Sequence, residues 1–338
     1  MHTYSYISYI CTSFQHIQYP EMTPARNSLL TGAFAICISA MLWGLDGIVL
    51  TPQLYNLELS LVVFILHALP FLIMNLFLYK EYKLLGTFTG KDLMYLFLVA
   101  LMGGALGTMA IVRALFLVEF RDLTIVVLLQ KLQPVFAISL AAILLREKFR
   151  KNFIFWASLA IISGYFLTFG FMLPDLHTGS KTALAAGYSL FAAFAFGSAT
   201  VLSKGILHRI SFQAATFYRY GFTSLIMLII VLSTGSLSGI AGVTSVNWIV
   251  FLIITFTTGS GAIFLYYYGL RKVKAMVATI CELCFPLSAI IFDYAFHGRI
   301  LTPVQWISAA VMLVAIIKLS LGSQSELPSV KDSKMLPE

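Results

Sequence analysis

The chain has 338 residues, of which 59 % are apolar and only 11 % charged, with a net charge of +8. An ordinary soluble domain carries about a quarter charged residues, so a soluble globular protein is excluded. The basic excess raises nucleic acid as a partner, and the placement of the charges removes it.

In chain order, apolar stretches run over roughly 29–50, 59–79, 93–117, 123–145, 153–173, 183–203, 213–234, 247–269, 275–296 and 303–322. They are continuous rather than alternating, which predicts membrane-spanning helices and not barrel strands. Residues 1–27 are polar and aromatic without a basic segment followed by an apolar core. They read as no cleavable signal, and Met22 suggests a start assigned too early. The tail 323–338 is polar and reads as disordered and cytoplasmic.

With the N-terminus inside, the cytoplasmic face collects Arg26, Lys80, Lys83, Lys91, Arg146, Lys148, Arg150, Lys151, Lys204 and Arg209. Arg271, Lys272, Lys274, Lys318, Lys331 and Lys334 complete that face. The opposite face holds only Arg121, Lys181 and Arg299. This asymmetry places both termini in the cytoplasm and the chain in the cytoplasmic membrane, so the basicity is topological.

The second five spans repeat the first five. Gly107 and Gly259, and likewise Pro134 and Pro286, are 152 positions apart. Trp43-Gly44 aligns with Phe196-Gly197, Phe64 with Phe217, and Leu72-Ile73-Met74 with Leu225-Ile226-Met227. Five crossings per half invert the second copy, so the expected fold is an all-α integral membrane bundle. It comprises ten helices as two inverted five-helix repeats, 28–173 and 183–322, joined by a linker 174–182 and surrounding a central cavity.

Several segments carry a family resemblance: Leu42-Trp43-Gly44, Phe217-Tyr218-Arg219, and Gln130-Lys131-Leu132-Gln133-Pro134-Val135-Phe136 followed by Arg146-Glu147-Lys148. Together with the ten spans, the repeat and the charge pattern, they resemble the EamA-type branch of the drug/metabolite transporter superfamily. That resemblance implies a carrier of metabolites with its site between the halves. It breaks down where Arg299 stands opposite Glu147 and Leu66 opposite Arg219.

Candidate site residues follow from the cost of polar groups in a bilayer. Asp46, Arg113, Lys131, Arg219 and Glu282 are ionisable residues inside spans, and His67 is a sixth. Proline removes a helical hydrogen bond, so Pro134 and Pro286 are expected to kink their helices and free the carbonyls of Gln130 and Glu282. Gln130, Gln133, Trp43, Tyr218, Tyr266 and Tyr267 would complete the wall. Gly103, Gly104, Gly107, Gly259 and Gly261 read as close-packing positions.

Three cations against two anions predict a carboxylate- or phosphate-bearing solute, amino-acid-like, with Arg219 or Arg113 as clamp. Glu282 offers a site for a coupling proton, and passive exchange is the alternative. Cys11, Cys37, Cys281 and Cys284 form no disulfide framework, and Cys281 and Cys284 alone do not make a metal centre.

The expected function is therefore a secondary transporter working by alternating access. It would act as a monomer among membrane lipids, with no cofactor, no metal and no nucleic acid. A lipid or lipid-carrier translocator is the alternative. An integral membrane enzyme would need a nucleophile–base pair or a metal cluster, and no such motif is present. Direction of transport stays open at this stage.

Overall fold

The computed structural model describes residues 26–119, 126, 129–148, 151–171, 180–298 and 302–322. The N-terminal residues 1–25 with Cys11, then Arg121, Asp122 and Arg150, the linker residues 172–179, Arg299 and the tail 323–338 lie outside the described residues. The first three helices are α1 (Asn27–Leu54), α2 (Leu59–Thr87) and α3 (Gly90–Leu117). A shorter apolar helix, α4 (Gln133–Leu144), comes next, followed by α5 (Asn152–Phe169). The second half contains α6 (Lys181–Leu207), α7 (Phe212–Thr234), α8 (Ser245–Lys272), α9 (Ala275–Phe296) and α10 (Pro303–Leu321). Among the described residues, all but α4 are long and apolar enough to cross a membrane. The first part of the fourth expected span falls largely on residues outside the description.

The helices pair across the halves. The first helix of each half packs against the third and fourth of the other: α1 on α8 and α9, α6 on α3 and α4. The remaining principal contacts join equivalents, α2 with α7 and α5 with α10. Exchanging the halves maps this pattern onto itself. The axis of that exchange runs between His67 and Tyr220, which are equivalent in the alignment and stack with ring centroids 5.3 Å apart.

The same symmetry governs close helix approach. A Cβ added to Gly44 would lie 2.9 Å from the Ala289 nitrogen and 3.0 Å from the Phe285 carbonyl of α9. A Cβ on Gly197 would lie 3.1 Å from the Ala137 nitrogen and 3.1 Å from the Gln133 carbonyl of α4. Ala137 and Gln133 are the repeat partners of Ala289 and Phe285. Glycine at both positions lets a first helix reach the backbone of a fourth.

Gly107 packs against Phe196 of α6, and both Gly107 and Gly259 play a further part within their own helices. Gly107 follows a π-helical stretch, Ala100–Leu106, and its added Cβ would meet the Met102 carbonyl at 2.5 Å. Gly259 closes a break in α8, its N–H donating to the Ile254 carbonyl at 2.6 Å, and its added Cβ would lie 2.8 Å from that oxygen. Each glycine accommodates a carbonyl five residues earlier, so both serve a local widening of the helix. Gly103 and Gly104 do pack as expected, against Ala199 and Thr223.

Both prolines stand in the first turn of a helical segment, where the missing N–H is harmless. Pro134 follows a turn at Lys131–Leu132, and Pro286 follows the interruption of α9 between Ala275–Cys281 and Cys284–His297. The Glu282 carbonyl, expected to be exposed, accepts the Phe285 N–H at 2.9 Å. The interruption therefore leaves the side chain of Glu282, rather than its carbonyl, available.

Each end of the bundle has one cross-half tie at equivalent positions. α3 opens with a capping box, Thr89–Asp92, and Asp92 also accepts from Arg209 at 2.5 Å. α8 opens with Thr244–Asn247, and Asn247 exchanges amide hydrogen bonds with Asn56 at 3.1 and 3.3 Å. Arg209 and Asn56 are repeat partners, so one tie is ionic and its counterpart neutral. Glu147 accepts the N–H groups of Ala275 and Met276 at 2.8 and 3.1 Å, setting a negative charge on the α9 N-terminus.

Candidate functional site

Six helices, with α1 adding an aromatic wall, contribute to one polar network between the halves. Its centre is the Glu282 carboxylate at the α9 interruption. One oxygen accepts from Gln133 Nε2 at 2.5 Å, and the other accepts from the Tyr266 hydroxyl at 2.6 Å. Thr200 Oγ1 stands 2.7 Å from the Tyr266 hydroxyl and 3.4 Å from the same carboxylate oxygen. All these donors are neutral, and Glu282 and Gln133 are only partly buried.

A second branch begins at Arg219. Its guanidinium donates to the Gly103 carbonyl at 2.9 Å and the Tyr267 hydroxyl at 3.1 Å, leaving Nε buried without a partner among the described residues. Tyr267 also meets Ser203 Oγ at 2.8 Å. Thr200 and Ser203 are one turn apart on α6, so they share a face and meet the two adjacent tyrosines. Trp43 closes the wall, its ring 5.4 Å from that of Tyr266. Tyr268 turns away and carries Lys272 over its ring at 3.7 Å. The consecutive tyrosines thus divide, two inward and one outward.

Of the residues singled out from the sequence, Trp43, Gln133, Arg219, Tyr266, Tyr267 and Glu282 are brought together. Asp46 forms a separate polar point, accepting from Thr51 and from Thr258 at the α8 break, both at 3.1 Å. Gln130 lies three residues before Gln133, and its Nε2 is buried without a partner among the described residues.

Four others lie elsewhere. Arg113 is exposed, because the buried face of α3 runs through Gly107, Ala110 and Ala114. Lys131 is buried at the turn before α4, beside a cavity of about 330 Å³ shared with Leu132, Ile161, Ile162 and Tyr165. Tyr218 donates to the Glu81 carbonyl at 2.6 Å and packs on Phe88, near the α2–α3 connection. His67 bonds the Val63 carbonyl at 2.9 Å on the symmetry axis.

Thr200, Ser203, Thr258 and the Gly103 carbonyl were missed in the sequence reading. Hydroxyls in apolar helices commonly bond their own backbone, so nothing in composition distinguishes these from ordinary ones.

The network has no equivalent on the other side of the axis. Gln130 replaces Glu282 there, Phe285 replaces Gln133, and Ala114 replaces Tyr266. The backbone is duplicated; the polar site is single.

Comparison with known proteins agrees with this architecture. The family model for EamA-like transporters matches residues 30–169 and 183–321, once per half. The Riboflavin transporter ImpX of Fusobacterium nucleatum subsp. nucleatum is 51% identical over 292 residues, covering 86% of this chain and 98% of the relative. A crystal structure 13% identical superposes with a TM-score of 0.62 over 90% of this chain and 99% of that one, which speaks to the fold alone. The chain belongs to the EamA-like transporter family and is a multi-pass membrane transporter of a small solute, not an enzyme.

Proposed function

We propose that this chain carries riboflavin across the cytoplasmic membrane by alternating access, with both termini in the cytoplasm. The observation that carries the reading is an aromatic wall set directly against a hydrogen-bonding edge, in a chain 51% identical to a riboflavin transporter. Trp43 and Tyr266 offer ring faces, while Glu282, Gln133, Thr200 and Arg219 offer donors and acceptors around them. A flat heteroaromatic ring with polar edges and a hydroxylated side chain suits that combination, since such sites hold apolar surface with a few placed polar groups.

An amino-acid-like or phosphate-bearing solute fits less well. Of the three intramembrane cations, Arg113 is exposed and Lys131 sits apart, while two nitrogens of Arg219 are already engaged. The duplicated backbone around a single site suits two half-bundles rocking about one solute.

The test is uptake of riboflavin by proteoliposomes containing the purified protein. Saturable uptake, blocked by excess riboflavin and unaffected by amino acids, is expected. Flavin uptake no faster than in empty liposomes, with amino acids transported instead, refutes the proposal.

A further inference from the structure

The flavin reading leaves open which part of the solute meets Glu282. Three facts bear on this. The carboxylate is flanked by two neutral donors, Gln133 Nε2 on one oxygen at 2.5 Å and the Tyr266 hydroxyl on the other at 2.6 Å. This is a row reading donor, acceptor, donor. The row is one-sided, because its repeat counterparts Phe285, Gln130 and Ala114 cannot form it. Two further N–H donors, Gln130 Nε2 and Arg219 Nε, are buried without partners among the described residues. Unsatisfied buried donors call for an acceptor-rich ligand.

The polar end of an isoalloxazine ring is an imide: a carbonyl, an N3–H and a second carbonyl, reading acceptor, donor, acceptor. We propose that Glu282 reads this imide edge. Its carboxylate accepts the N3–H, while Gln133 Nε2 and the Tyr266 hydroxyl move from the carboxylate to the two ring carbonyls. The ring plane then lies against Trp43, whose ring stands 5.4 Å from that of Tyr266 and is inclined to it by 53°. The unpartnered nitrogens of Gln130 and Arg219 supply donors for the remaining ring acceptors. Where the carboxylate at the centre of the row is ionised, the central bond is the strong one. It also discriminates against a ligand that lacks a hydrogen there, since both partners would then be left unpaired. Glu282 is thus a specificity-determining residue for imide-bearing rings, and the inference rests on the flavin reading.

A ligand–protein cycle tests it, measured as binding to the full-length protein in proteoliposomes through quenching of flavin fluorescence. Wild-type protein is offered riboflavin and N3-methylriboflavin, and the measurement is repeated on Glu282→Gln. Wild-type affinity for the N3-methyl compound should fall by about tenfold or more, the range of one hydrogen bond to a charged group. In Glu282→Gln the difference should shrink to within about threefold, because the coupling between the two changes is what the cycle isolates.

Equal wild-type affinity for both flavins overturns the imide assignment and leaves flavin transport standing. A preference that persists unchanged in Glu282→Gln also overturns it, since the methyl group then meets some other part of the site. Binding of neither flavin overturns the flavin reading and this inference together. The wild-type comparison changes only the ligand, so it holds even where the variant fails to fold.

Discussion

Replacing Gly44 with alanine puts one methyl group into a close backbone contact between the halves. Its carbon would lie 2.1 Å from Ser288 Oγ, 2.9 Å from the Ala289 nitrogen and 3.0 Å from the Phe285 carbonyl. The hydroxyl can rotate away; the two backbone atoms belong to the opening turns of the Cys284–His297 segment, on either side of Pro286, and cannot. Ordinary contact begins near 3.4 Å, so α1 must retreat from α9 by about half an ångström, at an overpacking cost of about 1–3 kcal/mol. At the equivalent Gly197 the nearest atoms are 3.1, 3.1 and 3.2 Å away, a deficit of a few tenths of an ångström. The same change there should cost less than about 1 kcal/mol. Unfolding of the detergent-solubilised protein by a graded denaturing detergent, followed by tryptophan fluorescence, measures both. Ser288→Gly in the Gly44→Ala background should recover only part of the loss. Equal loss at the two glycines, or a larger loss at Gly197, refutes the claim that backbone contact after the proline sets the penalty.

Alanine at Gly107 or Gly259 should act on transport more than on insertion, because each Cβ would collide with a carbonyl of its own helix at 2.5 or 2.8 Å. Straightening the widened turn should shift the conformational balance by about 1–3 kcal/mol, read as a loss of uptake rate at normal protein yield. Arg209→Ala should cost about 1 kcal/mol and remove part of the salt dependence of unfolding, since the arginine is 43% exposed while Asp92 is 5% exposed. The double replacement Asp92→Asn with Arg209→Asn copies the amide pair of the opposite end and should recover stability without the salt dependence. Arg219→Lys should lower stability by about 1–3 kcal/mol and should not preserve transport. A single ammonium cannot reproduce the planar fork that reaches Gly103 and Tyr267 together, so wild-type uptake by the lysine variant would refute the geometry.

Hydropathy and charge reveal how many times the chain crosses and how the halves correspond, because each crossing demands a long apolar run. α4 is the instructive case. Its apolar run continues through Pro134, yet the helix breaks at the Lys131–Leu132 turn after Gln130 and resumes at Gln133. Glu282 and Arg219 stand out in the sequence because a charge inside an apolar helix needs a reason. Their neighbour Arg113 stands out equally and is exposed. Sequence reports depth in the membrane, while one position along a helix turns a side chain by about 100°. Tyr218 and Arg219 show the consequence: adjacent residues, one bonded to Glu81 near the helix end and the other to Tyr267 within the core. Polar partners such as Thr200 and Ser203 become visible only when α6 is laid against α8.

The exchange of first helices between halves bears on how the protein is made. α1 is synthesised long before its partners α8 and α9; Ser39 bonds the carbonyl of Ala262, 223 residues further along. Until then the face of α1 that carries Ser39 and Gly44 has only lipid or transient neighbours. Assembly of this chain is therefore a long-range closure, in which the earliest helix to enter the bilayer is among the last to find its place.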